Sequence, residues 1–240
     1  MWLIIPKNAG SSSKELLYKM SHPERKNSSP TYKELSDLKR KSRFPREMQN
    51  HFETSADWTR TAILRDPKER LLSAYLDKVH SSSPSKGNYF KSNCCPMIMK
   101  NKSMTAEECY KQESKISFTT FVNAIKTCAN IHWYPQRALI DDWDMIDFPI
   151  NFNNLANDAE HMMKHVIDDA WNKFGKTGWG ENGTKAIFEE NTRHSTQAKN
   201  KYKEYYTPQL EKIVEEMYHA DYVLLKKLFP NDRQYQKVQT

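Results

Sequence analysis

Two short apolar runs, each passing straight into a helix start, limit the fold of this chain more than any other feature. Met1-Trp-Leu-Ile-Ile-Pro6 and Arg60-Thr-Ala-Ile-Leu-Arg65 both read as strands buried on two faces of a parallel sheet. The first runs into Lys7-Asn8-Ala9-Gly10-Ser11-Ser12-Ser13 and then into Lys14–Met20, where Leu16, Leu17 and Met20 have helical spacing. The second runs into Asp66-Pro67, a helix start with proline in the first turn, and Leu71, Leu72, Tyr75, Leu76 and Val79 form one helical stripe. Phe118, Phe121, Val122 and Ile125 mark another helix. Asp147–Phe152 reads as a late strand, and Pro149 makes it an edge or irregular one. Leu155, Ala159, Met162, Met163, Val166 and Ile167 predict a helix after it. A long amphipathic helix closes the chain, with Leu210, Ile213, Val214, Met217, Leu224, Leu225 and Leu228 on one side. Alternating strands and helices argue for an α/β fold with a parallel sheet.

The 240 residues fit one domain spanning 1–240, in which 21–55 and 80–115 are loop or insertion segments, the first with a helix near 31–41. Apolar residues at 38% and aromatics at 12% exclude a wholly disordered chain. No short period recurs, which argues against solenoids and propellers. No apolar run approaches the ~18 residues a membrane span requires.

A net charge of +7 points to an anionic partner. Between Lys26 and Asn50, seven Lys or Arg stand against three acids, including Lys39, Arg40, Lys41 and Arg43. That segment reads either as a solvated loop or as a face for nucleotide phosphates or an acidic glycan. No zinc-finger, homeodomain or RNA-recognition signature is present, so nucleic acid is not expected. Cys94, Cys95, Cys109 and Cys128 lack metal-ligand spacing. Three of them share one polar stretch, which suits a loop disulfide in an oxidising compartment, although adjacent Cys94 and Cys95 are poorly placed to find separate partners inside it. Sequons at Asn27, Asn101 and Asn182 point the same way. Met1 leads directly into a strand with no room for a signal peptide, so the protein is cytosolic if Met1 is the true start, or else this chain lacks a natural N-terminal anchor.

The Lys7–Ser13 loop is not a Walker A sequence, because its lysine comes before the only glycine. It still has the parts of an anion cradle. Gly10 lets backbone approach a ligand, Ser11, Ser12 and Ser13 add hydroxyls, Lys7 supplies a point charge, and a helix N-terminus follows. Arg65 ends the second strand and Ser73 lies eight residues on, in the second helical turn, so the two can converge on one phosphate.

Together these segments resemble the sulfotransferases that use 3′-phosphoadenylyl sulfate (PAPS). Ile5-Pro-Lys-Asn-Ala-Gly-Ser-Ser-Ser13 is similar to their 5′-phosphosulfate loop, and Arg65-Asp-Pro-Lys-Glu-Arg-Leu-Leu-Ser73 to their 3′-phosphate motif. His132-Trp-Tyr-Pro-Gln136 resembles the His-Trp-x-Pro-Gln segment of the Golgi carbohydrate sulfotransferases of the chondroitin and dermatan type. Phe148–Leu155 resembles a family strand that carries Glu where Asn153 stands here, and His194-Ser-Thr with Tyr205–Leu210 and Asp221-Tyr222 is similar to the C-terminal segment.

The resemblance implies a P-loop-like three-layer fold, a central parallel sheet flanked by helices, and a Golgi-lumen enzyme anchored through an N-terminal segment. It implies PAPS as co-substrate with no metal, and a glycan or other hydroxyl acceptor. Lys7 would neutralise charge on the leaving phosphate. Asn8, Ala9, Gly10, Ser11, Ser12 and Ser13 would hold the 5′-phosphate, and Arg65 and Ser73 the 3′-phosphate. His132 is the candidate general base; His194 is a second candidate for that role and a candidate cofactor contact. Trp133, Tyr134, Trp143, Trp171 and Trp179 either stack on sugars or fill the core. The basic 26–50 segment and the 80–115 insertion are left to read the acceptor. The rival readings are a P-loop-like nucleotide kinase and a non-catalytic module on the same fold that binds anionic glycans.

Overall fold

The computed structural model describes residues 2–25, 28, 30–37, 45–80, 94–98, 103, 105–111, 116–166, 169–180, 182–189 and 197–236. Its elements are β1 (Trp2–Leu3), α1 (Gly10–Ser21), α2 (Tyr32–Asp37), α3 (Arg46–Thr54), β2 (Thr61–Leu64), α4 (Pro67–Lys78), α5 (Cys95–Ile98), α6 (Ala106–Lys111), α7 (Phe118–Ala124), β3 (Phe148–Asn151), α8 (Leu155–Val166), α9 (Ala198–Tyr205), α10 (Pro208–Met217), α11 (His219–Leu228) and α12 (Arg233–Gln236). They fall into two compact units, residues 1–65 with 140–194 and residues 66–139 with 195–240. None of the described helices is long and apolar enough to cross a membrane.

The first unit holds a small parallel sheet in the order β1-β2-β3, which gives the chain its mixed α/β character. All four residues of β2 are buried, as a central strand covered on both faces requires. Pro149 pairs opposite Ala62 on the edge strand β3, where its missing N–H costs the ladder nothing. The apolar run of β1 was expected to continue to Pro6, but pairing stops at Leu3. Pro6 donates no N–H, Lys7 takes φ 71, and the Asn8 N–H returns to the Ile5 carbonyl at 3.3 Å, so the chain has already turned. Leu16 of α1, Ile63 of β2, Ile150 of β3 and Met162 and Met163 of α8 share one core with Trp171 and Ile187. Arg60 closes the start of the sheet. Its Nε and Nη2 donate to the two oxygens of Asp147 at 2.9 and 3.1 Å, and its backbone N–H donates to the same carboxylate at 2.7 Å.

The 21–55 segment holds more structure than the loop expected of it. A helix lies inside 31–41 as predicted, started by a reciprocal cap in which the Thr31 N–H donates to Glu34 at 2.7 Å and the Glu34 N–H to the Thr31 hydroxyl at 3.3 Å. The unforeseen helix is α3. Phe52 is its single buried residue, too little apolar content for a periodic signal. Lys39, Arg40, Lys41 and Arg43 lie outside the described residues.

The second unit is helical. Asp66 caps α4 by accepting the N–H groups of Lys68 at 2.9 Å and Glu69 at 3.1 Å, with Pro67 in the first turn. The expected one-sided stripe on α4 proves too narrow: nine of its twelve residues are buried, Glu69, Arg70 and Ser73 among them. Lys68 reaches Glu215 of α10 at 2.5 Å. Tyr75, Phe118, Phe121, Tyr205 and Tyr206 form an aromatic cluster among α4, α7 and α9. The single long C-terminal helix expected from the sequence is two, α10 and α11, broken at Tyr218, whose hydroxyl donates to the Trp133 carbonyl. Cys94 pairs with Cys128, outside the polar stretch, in keeping with the poor placement of adjacent Cys94 and Cys95 for separate partners inside it, and Cys95 is itself in a disulfide.

Candidate active site

In the first unit, the Lys7–Ser13 loop is held from below by Asn8. Its side chain is buried and donates from Nδ2 to the Ile63 carbonyl of β2 at 2.7 Å. Lys7 (φ 71) and Ala9 (φ 53) both take the left-handed conformation, which costs a non-glycine residue roughly 1 kcal/mol. Strain of this kind persists where surrounding contacts over-determine it, and it collects at ligand sites. Gly10 has a packing reason as well as the ligand approach expected of it, since a Cβ there would meet the Ile4 side chain at 3.0 Å.

Helix α1 begins with no side-chain cap and no acidic residue in its first turn. Its leading N–H groups have no acceptor inside the helix and present partial positive charge. Ser13 is committed, its hydroxyl donating to the Ala9 carbonyl at 3.0 Å, and Ser11 is exposed. Ser12 differs. Its Oγ is buried and makes no hydrogen bond within the protein. A buried hydroxyl is nearly always paired, so this one fits a ligand that supplies an acceptor. Arg65, at the end of β2, donates from Nη1 to the Lys7 carbonyl at 3.3 Å, and its guanidinium lies 4.2 Å over the Phe152 ring. The loop and the strand-end arginine, read as two separate motifs, thus meet in one place. Among the described residues no three His, Cys, Asp or Glu side chains group to hold a metal ion.

In the second unit, the His132 turn is fastened on several sides. Arg70, 1% exposed, donates from Nη1 to the Tyr134 carbonyl at 2.7 Å and from Nη2 to the Ile131 carbonyl at 2.9 Å. The Trp133 indole N–H donates to the Cys128 carbonyl at 2.7 Å, beside the disulfide. Asp221 of α11 accepts the backbone N–H groups of Gln136 at 2.9 Å and Arg137 at 2.7 Å, closing the far end. Burial pushes the pKa of the Asp221 carboxyl up, against these hydrogen bonds. His132 itself is half-buried, its Nδ1 lying 2.7 Å from Asn130 Oδ1.

The family model for the sulfotransferase family matches residues 1–228. The chain belongs to the sulfotransferase family. No curated protein and no solved structure matches it.

Within this sulfotransferase, Lys7 to Ser13 and Arg65 share the first unit, whereas Ser73 and His132 belong to the second. His194 lies outside the described residues. Of the five aromatics considered for sugar stacking, Trp133, Trp143 and Trp171 are buried, and Trp179 is covered by the Lys19 ammonium 4.1 Å from its ring. Tyr134 alone among them is exposed, at 42%.

Sequence reasoning missed Arg70, Phe152 and Asn130. Arg70 was not singled out for the interior, because charged residues rarely lie fully buried. Its one signal was its place inside the run Glu69–Leu72, between a capped helix start and two leucines. Nothing local marked Phe152 as a platform for Arg65, since the two are joined only through the pairing of β2 with β3.

Proposed function

We propose that this sulfotransferase moves a sulfuryl group from PAPS to a hydroxyl of a carbohydrate acceptor by in-line displacement. The observation that carries the reading is the Ser12 hydroxyl. It is buried without a partner at an uncapped helix start, in the unit that also joins Lys7 to Arg65. A phosphate-bearing donor supplies the acceptor oxygens such a site needs, and its sulfuryl group is the one transferred.

The chain's own groups divide the work. The N–H groups that open α1, with the Ser12 hydroxyl, hold the 5′-phosphate. Lys7 places its ammonium beside the leaving oxygen and neutralises the charge that develops there, which is most of what sulfuryl transfer asks of a protein. Arg65, aligned by Phe152 and Lys7, binds the 3′-phosphate and so separates this donor from ADP-type nucleotides, with Ser73 as a further candidate for that phosphate. His132 takes the acceptor proton, with His194 as the second candidate, and exposed Tyr134 offers a ring to a sugar face. The parallel sheet with a helix launched from its loop supports a P-loop-like three-layer arrangement. The Cys94–Cys128 bond supports an oxidising compartment such as the Golgi lumen.

Transfer of 35S from labelled PAPS to unsulfated chondroitin and related glycans tests the reading. The expected result is metal-free labelling of a glycan, lost in Lys7→Ala. Phosphorylation of the same glycans from Mg-ATP, without transfer from PAPS, would overturn it in favour of a kinase.

A further inference from the structure

We infer that Asn130 is the positioning residue for His132, holding the imidazole in the Nδ1–H tautomer so that the lone pair is presented on Nε2. The inference deepens the reading of His132 as general base and rests on it. Asn130 Oδ1 lies 3.0 Å from the His132 backbone nitrogen and 2.7 Å from its Nδ1. A backbone N–H only donates, so the Asn130 atom facing it is the carbonyl oxygen and not the amide nitrogen. An oxygen acceptor 2.7 Å from Nδ1 requires a proton between them, and that proton belongs to the ring. A neutral imidazole has one N–H. With Nδ1 carrying it, Nε2 is the basic nitrogen.

The same asparagine also fixes the turn beneath the ring. Its backbone carbonyl accepts the N–H groups of Trp133 at 3.0 Å and Tyr134 at 2.7 Å, and Arg70 grips the carbonyls on either side. Ile131 at 56% and Tyr134 at 42% exposure flank His132, so the turn faces solvent where an acceptor would approach. Among the described residues, the charged side chains that hydrogen-bond to this turn are Arg70 of α4 and Asp221 of α11, with Arg137 following in the chain.

An amide suits this task better than a carboxylate would. Aspartate at 130 would hold the same tautomer, but its charge would favour the imidazolium and leave less free base at neutral pH. In the proposed step, the acceptor O–H proton moves to Nε2, the acceptor oxygen forms a bond to sulfur, and the bond from sulfur to the departing phosphate oxygen breaks. The imidazolium left behind keeps its Nδ1–H on Asn130.

The test combines side-chain 15N NMR of the full chain, its histidines labelled, with kinetics using 35S-PAPS and unsulfated chondroitin. His132→Gln assigns the resonance pair. Wild type should show a protonated Nδ1 and a bare Nε2 at His132, and Asn130→Ala should move the ring towards the opposite tautomer. In the same variant kcat should fall about 10- to 100-fold with the KM for PAPS unchanged, the usual size of an outer-shell loss. Asn130→Asp should keep the tautomer, restore the turn, and move the acid limb of the kcat/KM profile up by about one pH unit. A purely structural asparagine would leave the tautomer unchanged in Asn130→Ala. An unchanged tautomer in Asn130→Ala overturns the role given to Asn130. An unmoved limb in Asn130→Asp, or full activity in His132→Gln, overturns the base reading instead.

Discussion

Arg65 donates to the carbonyl oxygen of Lys7 at 3.3 Å while its guanidinium lies 4.2 Å over Phe152. The residue that ends β2 therefore steadies the strained loop that follows β1, and both are bound to the sheet. The loop's left-handed turns at Lys7 and Ala9 persist because Asn8 and Arg65 hold them from two directions. A site assembled in this way before any ligand arrives loses little free energy to ordering when one binds.

Ser12→Ala should separate stability from binding. The hydroxyl is buried with no partner, so its removal deletes a desolvation penalty and not a hydrogen bond. Urea unfolding should show a variant at least as stable as wild type, by up to about 1 kcal/mol. Its affinity for adenosine 3′,5′-bisphosphate should fall about tenfold, the loss of one hydrogen bond to a charged group.

Arg70→Lys should loosen the His132 turn. One ammonium cannot reproduce a fork that reaches two carbonyls, so at least one buried acceptor loses its donor. Chemical denaturation should report a loss of about 2 kcal/mol. Sulfuryl transfer should lose kcat, with donor affinity retained.

Acid should open the sheet at its Arg60 end. Burial raises the pKa of Asp147, but the Arg60 hydrogen bonds outweigh it and hold the carboxyl below its ordinary value of 3.8. A depressed carboxyl contributes stability that is complete above its unfolded pKa and disappears as pH falls through the folded one. That contribution should therefore be flat from neutral pH to about 4 and fade below it. Asp147→Asn should remove the pH-dependent part and cost about 1 kcal/mol, since the carboxylate is partly exposed and screened. Thermal melts of both proteins across that range would show it.

Reduction should act on the second unit. The Cys94–Cys128 bridge spans a sequence separation of 34, for which the loop-entropy model gives about 3–4 kcal/mol. The Cys128 carbonyl also receives the Trp133 indole N–H, so Cys128→Ser should lower both the melting temperature and kcat. An unchanged kcat would show that the turn holds without the bridge.

Much of the site was legible because its signals are local. The Asp66-Pro67 helix start, the loop before α1 and the proline on an edge strand each depend on neighbouring residues, and each lies where the sequence put it. The rest depends on partners far along the chain. The break at Tyr218 cannot be read from the apolar stripe, which continues across it in phase. It becomes intelligible only when the Tyr218 hydroxyl is seen to reach Trp133, 85 residues earlier. The burial of Arg70 was illegible for the same reason, because the two carbonyls that justify it lie more than 60 residues away. The partner of Cys94 was likewise left open by the sequence, and it lies 34 residues on at Cys128.

Calorimetric titration of the metal-free protein with adenosine 3′,5′-bisphosphate, 5′-AMP, ADP and Mg-ATP, on wild type and Arg65→Ala, tests the donor site most directly. Wild type should prefer the bisphosphate at least tenfold over the others. Arg65→Ala should weaken the bisphosphate about 30-fold, equal to about 2 kcal/mol of a charge-assisted contact, and leave 5′-AMP nearly unchanged. Preference for Mg-ATP, or bisphosphate binding indifferent to Arg65, would contradict it.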